Sequence, residues 1–138
     1  CSNSFQSCAK ERSTRSNIQT KDRHLVKPII VVSPRFTKLM SIVIDVYAIT
    51  IFPFIISKEK MDETTLNHET IHIEQQKELL VLGFYPLYFF YYFLGFIKYK
   101  DRQQAYYRIP FEQEAYENDQ DLNYLKDRKA YSWRKFKV

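Results

Sequence analysis

The sequence predicts a mainly helical α+β fold in which short edge strands pack on one long helix and on a glutamate-bearing helix further down the chain. Three observations lead there. The 138 residues include only 2 Gly, too few for a loop-rich all-β fold. Two β-branched, apolar runs, Leu25 to Val32 and Val46 to Ile56, have strand length. Three later stretches, opening at Asp62, Pro86 and Pro110, read as helices. The chain is long enough for one domain that buries about two-thirds of its unfolded surface.

Residues 1–24 are rich in Ser, Asn, Thr, Lys and Arg and show no apolar period, so they read as a disordered polar tail preceding a domain over 25–138. Cys1 and Cys8 lie in this tail at a spacing that fits no zinc or redox pattern. They read as free thiols, or Cys1 as the lipid-bearing first residue of a bacterial lipoprotein. The first strand contains Lys27-Pro28, and proline confines it to an edge or a strand start. Ser33-Pro34 opens a short helix expected over Phe36 to Ile44. The run from Val46 to Ile56 is too short and too β-rich to span a membrane and reads as a strand broken or ended near Pro53. An edge strand there could hold an extended peptide through main-chain hydrogen bonds, or it could be an ordinary buried strand.

Lys58 to Lys60 form an exposed linker. Asp62 is the expected N-cap of a helix running to Leu82, with Glu63 suited to its positive start. Leu66, Ile71, Ile73, Leu79, Leu80 and Leu82 are its expected apolar stripe, and Gln75, Gln76, Lys77 and Glu78 its solvated face. Within it lies His68-Glu69-Thr70-Ile71-His72, an HExxH pattern that uses two of the chain's three histidines. Four residues apart, His68 and His72 present both imidazoles to one point, which makes half of a zinc site. Glu69 stands beside that pair, placed to take a proton from a water activated by the metal.

Leu79 to Ile97 is a 19-residue run without charge. Gly83 and Pro86 interrupt it, and its tyrosines are amphipathic, so it reads as a second helix from Pro86 to Phe96, packed in the core or lying in a membrane interface. Lys98 to Ile109 reads as a polar loop. Pro110 suits the first turn of a third helix, which carries Glu112 and Glu114. An HExxH zinc site needs one more protein ligand. A metzincin would place histidine at position 78, where Glu78 stands, so a downstream carboxylate is required. Glu112 and Glu114 are the candidates; they lie about 200° apart on a helix, so only one can face the metal.

The motifs NHETIH at 67–72 and PFEQEAY at 110–116 together resemble the gluzincins, the HExxH zinc peptidases whose third ligand is a glutamate. More closely, the chain resembles the small minigluzincin-type proteins of bacteria, over about residues 48–125. The resemblance implies a zincin-like minimal core, zinc as cofactor, peptide or protein substrates, and hydrolysis with Glu69 as general base. The E-x-x-A-D pattern of related integral-membrane gluzincins selects Glu112 as the ligand. Its final Asp, which steadies a histidine ligand, falls at Tyr116 here, a departure that leaves Glu114 either to supply that carboxylate or to be the ligand itself. The oxyanion stabiliser that such sites use would be Tyr106, Tyr107, Tyr116 or His24.

Leu122 to Val138 reads as a continuation of the third helix followed by a basic tail, its aromatics on the core and its cations in solvent. The net charge of +5 favours anionic surfaces. No Gly-rich phosphate loop, nucleophile elbow or internal repeat is present, so no specific nucleic-acid partner is expected. A domain this small has little wall for a cleft, so a second copy of the chain or a membrane surface is expected to complete it. Two other readings stay open: a zinc-binding interaction module without turnover, and a membrane-surface or nucleic-acid binder in which the motif is incidental. Cytoplasmic and membrane-associated locations both fit.

Overall fold

The computed structural model describes residues 27–35 and 48–138. The expected polar tail, His24 and the expected helix over 36–44 fall outside them. The architecture is α+β. Strands β1 (Ile29–Val32), β2 (Ala48–Ile51) and β3 (Phe54–Ser57) are followed by helices α1 (Glu63–Glu78), α2 (Phe84–Tyr99), α3 (Arg102–Tyr107), α4 (Pro110–Asn118) and α5 (Tyr124–Asp127), then a 3₁₀ turn at Ser132–Lys135.

The sheet order is β1-β3-β2, with β1 parallel and β2 antiparallel to β3. β1 begins directly after Pro28 and lies at an edge, the placement that a missing N–H dictates. Within the run expected as one strand, residues 48–56 form a hairpin that reverses at Phe52-Pro53, and Ile51 pairs with Phe54 across the turn. β2 is therefore the second edge strand.

Asp62 caps α1: its carboxylate accepts from the Thr65 amide at 2.9 Å. The helix ends at Glu78, four residues before the expected Leu82. Leu80 and Val81 follow with φ of 54° and 62°, left-handed values that break the ladder. Leu80 and Leu82 are exposed and do not belong to the apolar stripe. The expected solvated face is also revised, because Gln75 and Gln76 are buried. The helix lies between β2 and α4, so both flanks of its middle are covered, and polar side chains there must find partners inside.

α2 extends beyond the expected Pro86–Phe96 at both ends. The expected loop over 98–109 contains α3, capped by Asp101, whose carboxylate accepts from the Gln104 amide. Gly95 permits the close approach of α2 and α3: a Cβ there would stand 3.1 Å from the Ala105 Cα and carbonyl oxygen. Gly95→Val is accordingly expected to cost about 1–3 kcal/mol through overpacking. Urea denaturation measures this; an unchanged midpoint would show that the helices separate freely.

Pro110 opens α4 as expected, but α4 ends at Asn118 and the chain turns into the separate α5. Phe84, Ile109, Phe111 and Trp133 form one core cluster, with Phe111 4.7 Å from Phe84 and 4.6 Å from Trp133 between ring centroids. Ile71, Ala115 and Leu125 form a second cluster between α1 and α4. The first cluster ties α4 to α2 and the 3₁₀ turn, the second fixes α4 against α1, and this second juxtaposition builds the site.

Candidate metal centre

Helical spacing brings His68 and His72 onto one face of α1, with ring centroids 4.9 Å apart. α4 delivers Glu112 to the same point. His68 Nε2 lies 3.5 Å from Glu112 Oε2, and His72 Nε2 lies 3.4 Å from Glu112 Oε1. All three residues are buried, and their donor atoms lie within 4.8 Å of one another. Among the described residues, no other group of His, Cys, Asp and Glu gathers in this way.

These separations carry information. A charge-assisted N–H···O bond closes to about 2.7–2.9 Å. Donors around a tetrahedral zinc with bonds of about 2.0–2.1 Å stand about 3.3–3.4 Å apart. The observed spacings suit a shared divalent ion better than direct pairing. Glu112 Oε2 is moreover buried without a hydrogen-bond partner, an expense that a cation at this point would remove.

Both imidazoles are oriented from behind. His72 Nδ1 lies 2.7 Å from Gln75 Oε1, and His68 Nδ1 lies 3.4 Å from Asp119 Oδ2. Such contacts aim each Nε2 at the common point. Asp119 thus supplies a carboxylate to His68 from just beyond the end of α4, whereas the E-x-x-A-D pattern would place it at position 116. Asn67 holds that turn in place. Its side-chain amide donates to the carbonyls of Asn118, Asp119 and Asp121 at 2.9–3.3 Å.

Glu114 is fully buried and faces away from the imidazoles. It accepts from Gln75 Nε2 at 2.9 Å, Tyr124 hydroxyl at 2.7 Å and Arg128 Nε at 2.7 Å. Its reach to the site runs through Gln75 to His72. Arg128, expected in solvent, is buried and also pairs with Glu78.

Glu69 is buried beside the histidines, and its Oε2 accepts a short hydrogen bond from the Thr50 hydroxyl on β2. Gln76 ties the same strand to α1. Its Oε1 accepts from the Phe52 amide and its Nε2 donates to the Thr50 carbonyl, both at 2.8 Å. A cleft of about 240 Å³ opens between β2 and α2, lined by Thr50, Glu69, His72, Tyr88, Tyr106 and Glu112 among others.

The tyrosines divide by position. Tyr106 lines the cleft. Tyr116 stacks edge-on against His68, with centroids 4.5 Å apart, and is half-exposed. Tyr107 is exposed, packs on Tyr116 and does not line the cleft. Tyr88 was not among the expected residues, yet its hydroxyl donates to Glu112 Oε1 at 2.7 Å. Its uncharged aromatic run masked it.

Glu112 and the imidazoles also act on one another's titration. For Glu112, burial works to raise the pKa, but the charge and contact of His72 and His68 prevail and hold the carboxyl well below the usual range. For His72, burial works to lower it, and Glu112 outweighs this and raises it to about 9. Burial, reinforced by Glu112, pushes Tyr88 and Tyr106 far up, so both remain hydroxyl donors.

Comparison with protein families, curated proteins and solved structures finds no match. The site's own donor set is two imidazoles and a carboxylate that could hold a metal ion, with an adjacent carboxylate and a hydroxyl in an open cleft.

Proposed function

We propose that this protein is a zinc-dependent peptide-bond hydrolase with the gluzincin arrangement, in which His68, His72 and Glu112 hold the ion. The observation that carries this reading is the spacing of the three donors around the orphaned Glu112 Oε2. Zinc, when bound, supplies the Lewis acidity that makes water nucleophilic near neutral pH. Glu69 would take a proton from water so activated and return it to the leaving amine. Thr50 holds Oε2 of Glu69, which leaves Oε1 for proton transfer. The Tyr106 hydroxyl, kept protonated, is the donor in the cleft for the developing oxyanion.

β2 runs along the cleft and is hydrogen-bonded to a strand on one side only, so an extended peptide can lie against it. Because Gln76 already takes the Thr50 carbonyl and the Phe52 amide, pairing with substrate is confined to the remaining backbone groups.

The decisive experiment compares wild type with Glu69→Gln. One zinc per chain is expected in both, with hydrolysis of a casein-type or quenched fluorescent peptide substrate lost only in the variant, by at least about 100-fold. Zinc binding by wild type without any turnover would favour an interaction module built on the same frame. Persistence of turnover in the variant would remove Glu69 from its role as base.

A further inference from the structure

We propose that the outer face of α2 docks on an anionic lipid surface. The residues at 86, 90, 93 and 97 are spaced four, three and four apart, the interval that keeps side chains on one side of a helix. On that side Phe89 is 66 %, Phe93 60 % and Ile97 57 % exposed, and Phe90 is also exposed. Leu80 and Leu82, thrust out by the left-handed turn before α2, are 85 % and 81 % exposed. A soluble monomer rarely leaves so large an apolar face uncovered.

Charge identifies the occupant. No acidic residue stands between positions 79 and 100, whereas Lys98, Lys100 and Arg102 follow one another at the far end of the helix. All three are exposed, and Lys98 also donates to the Val138 carbonyl, which leaves Lys100 and Arg102 as the main contacts for an anionic surface. The acids that bound this stretch are engaged, Glu78 by Arg128 and Asp101 as the α3 cap. An apolar stripe with cations at its end and tyrosines along its flank suits the boundary between headgroups and acyl chains. With 16 residues, α2 is about 24 Å long. Among the described residues, no helix is long and apolar enough to cross a membrane, so the helix lies along the surface. Phe89 also lines the cleft, which places the cleft mouth next to the docked face. The docking stands apart from the hydrolase reading, because binding is measured without zinc or turnover.

The test is co-sedimentation of the full chain with vesicles of phosphatidylcholine, with and without about 30 mol % phosphatidylglycerol. Wild type is expected to bind the anionic vesicles at least tenfold more tightly. Phe93→Asp combined with Ile97→Asp should abolish binding with the circular dichroism spectrum unchanged. Lys100→Glu combined with Arg102→Glu should weaken it by about fivefold or more per residue. Failure to bind either vesicle, or equal binding to both, would overturn the proposal. So would a wild-type dimer that ignores vesicles and is dissociated by the two aspartates, since a second copy would then be the occupant.

Discussion

Arg128→Met is expected to lower stability by about 3–5 kcal/mol, the cost of leaving a buried charge without its counter-ion. Arg128 is 3 % exposed and bonds both oxygens of Glu114 at 2.7 and 3.1 Å, while Glu114 has no exposed surface at all. A loss of that size takes a large part of the 5–15 kcal/mol typical of a folded domain. Zinc affinity should fall as well, by about 10–100-fold, because Glu114 steadies Gln75 and Gln75 steadies His72. Urea denaturation of the metal-free chain reads the first effect and competitive zinc titration the second. The double variant Arg128→Met, Glu114→Gln removes the stranded charge and should regain about half of the lost stability. If it does not, packing of the guanidinium and not charge was responsible.

If His68, His72 and Glu112 hold zinc as proposed, a proton and the ion compete for one place, and the competition should appear as opposite pH trends. In the metal-free protein His72 titrates at about 9 instead of its ordinary value, because Glu112 outweighs the effect of burial. A raised folded-state pKa contributes stability that is complete below about 6.5 and disappears as pH rises through about 9. Metal-free melting temperature should therefore fall over this window. Zinc needs neutral imidazole, so its apparent affinity should rise by about tenfold per pH unit in the same range, with one proton released by His72 per ion bound. Glu112→Gln should flatten the first trend and weaken zinc by more than about 100-fold, beyond what loss of an outer partner costs. Calorimetric titrations in buffers of different ionisation enthalpy count the protons. Zinc binding independent of pH between 6.5 and 9 would contradict the paired assignment.

The parts of this fold that follow local rules were legible in the sequence. Asp62 is the right residue at the right distance from its amide, Pro110 starts a helix, and Pro28 confines β1 to an edge. Residues that act across the chain were not. Gln75 and Gln76 stand among charged neighbours and read as a wet face, because nothing local shows that β2 and α4 cover both flanks of α1. Arg128 reads as one more cation of a basic tail until the turn after α4 folds it under Glu78. The helix end at Glu78 carries no glycine, and a leucine and a valine in left-handed conformation are not a pattern that sequence reading expects. At the site, the four-residue spacing of the histidines was plain, but the sequence left open whether Glu112 or Glu114 joins them. The fold turns Glu112 toward the rings and Glu114 toward Arg128. Asp119, Thr50 and Tyr88 escaped notice because their relation to the motif is purely spatial.

Gln76 has a consequence outside the cleft. By accepting from the Phe52 amide and donating to the Thr50 carbonyl, it imitates with one side chain the two bonds that a neighbouring strand would make. Exposed rims of small sheets recruit further strands and so seed fibrils. A single amide borrowed from the helix occupies these two groups of the β2 edge, so an incoming strand finds them already bonded and can pair only with the backbone groups that remain.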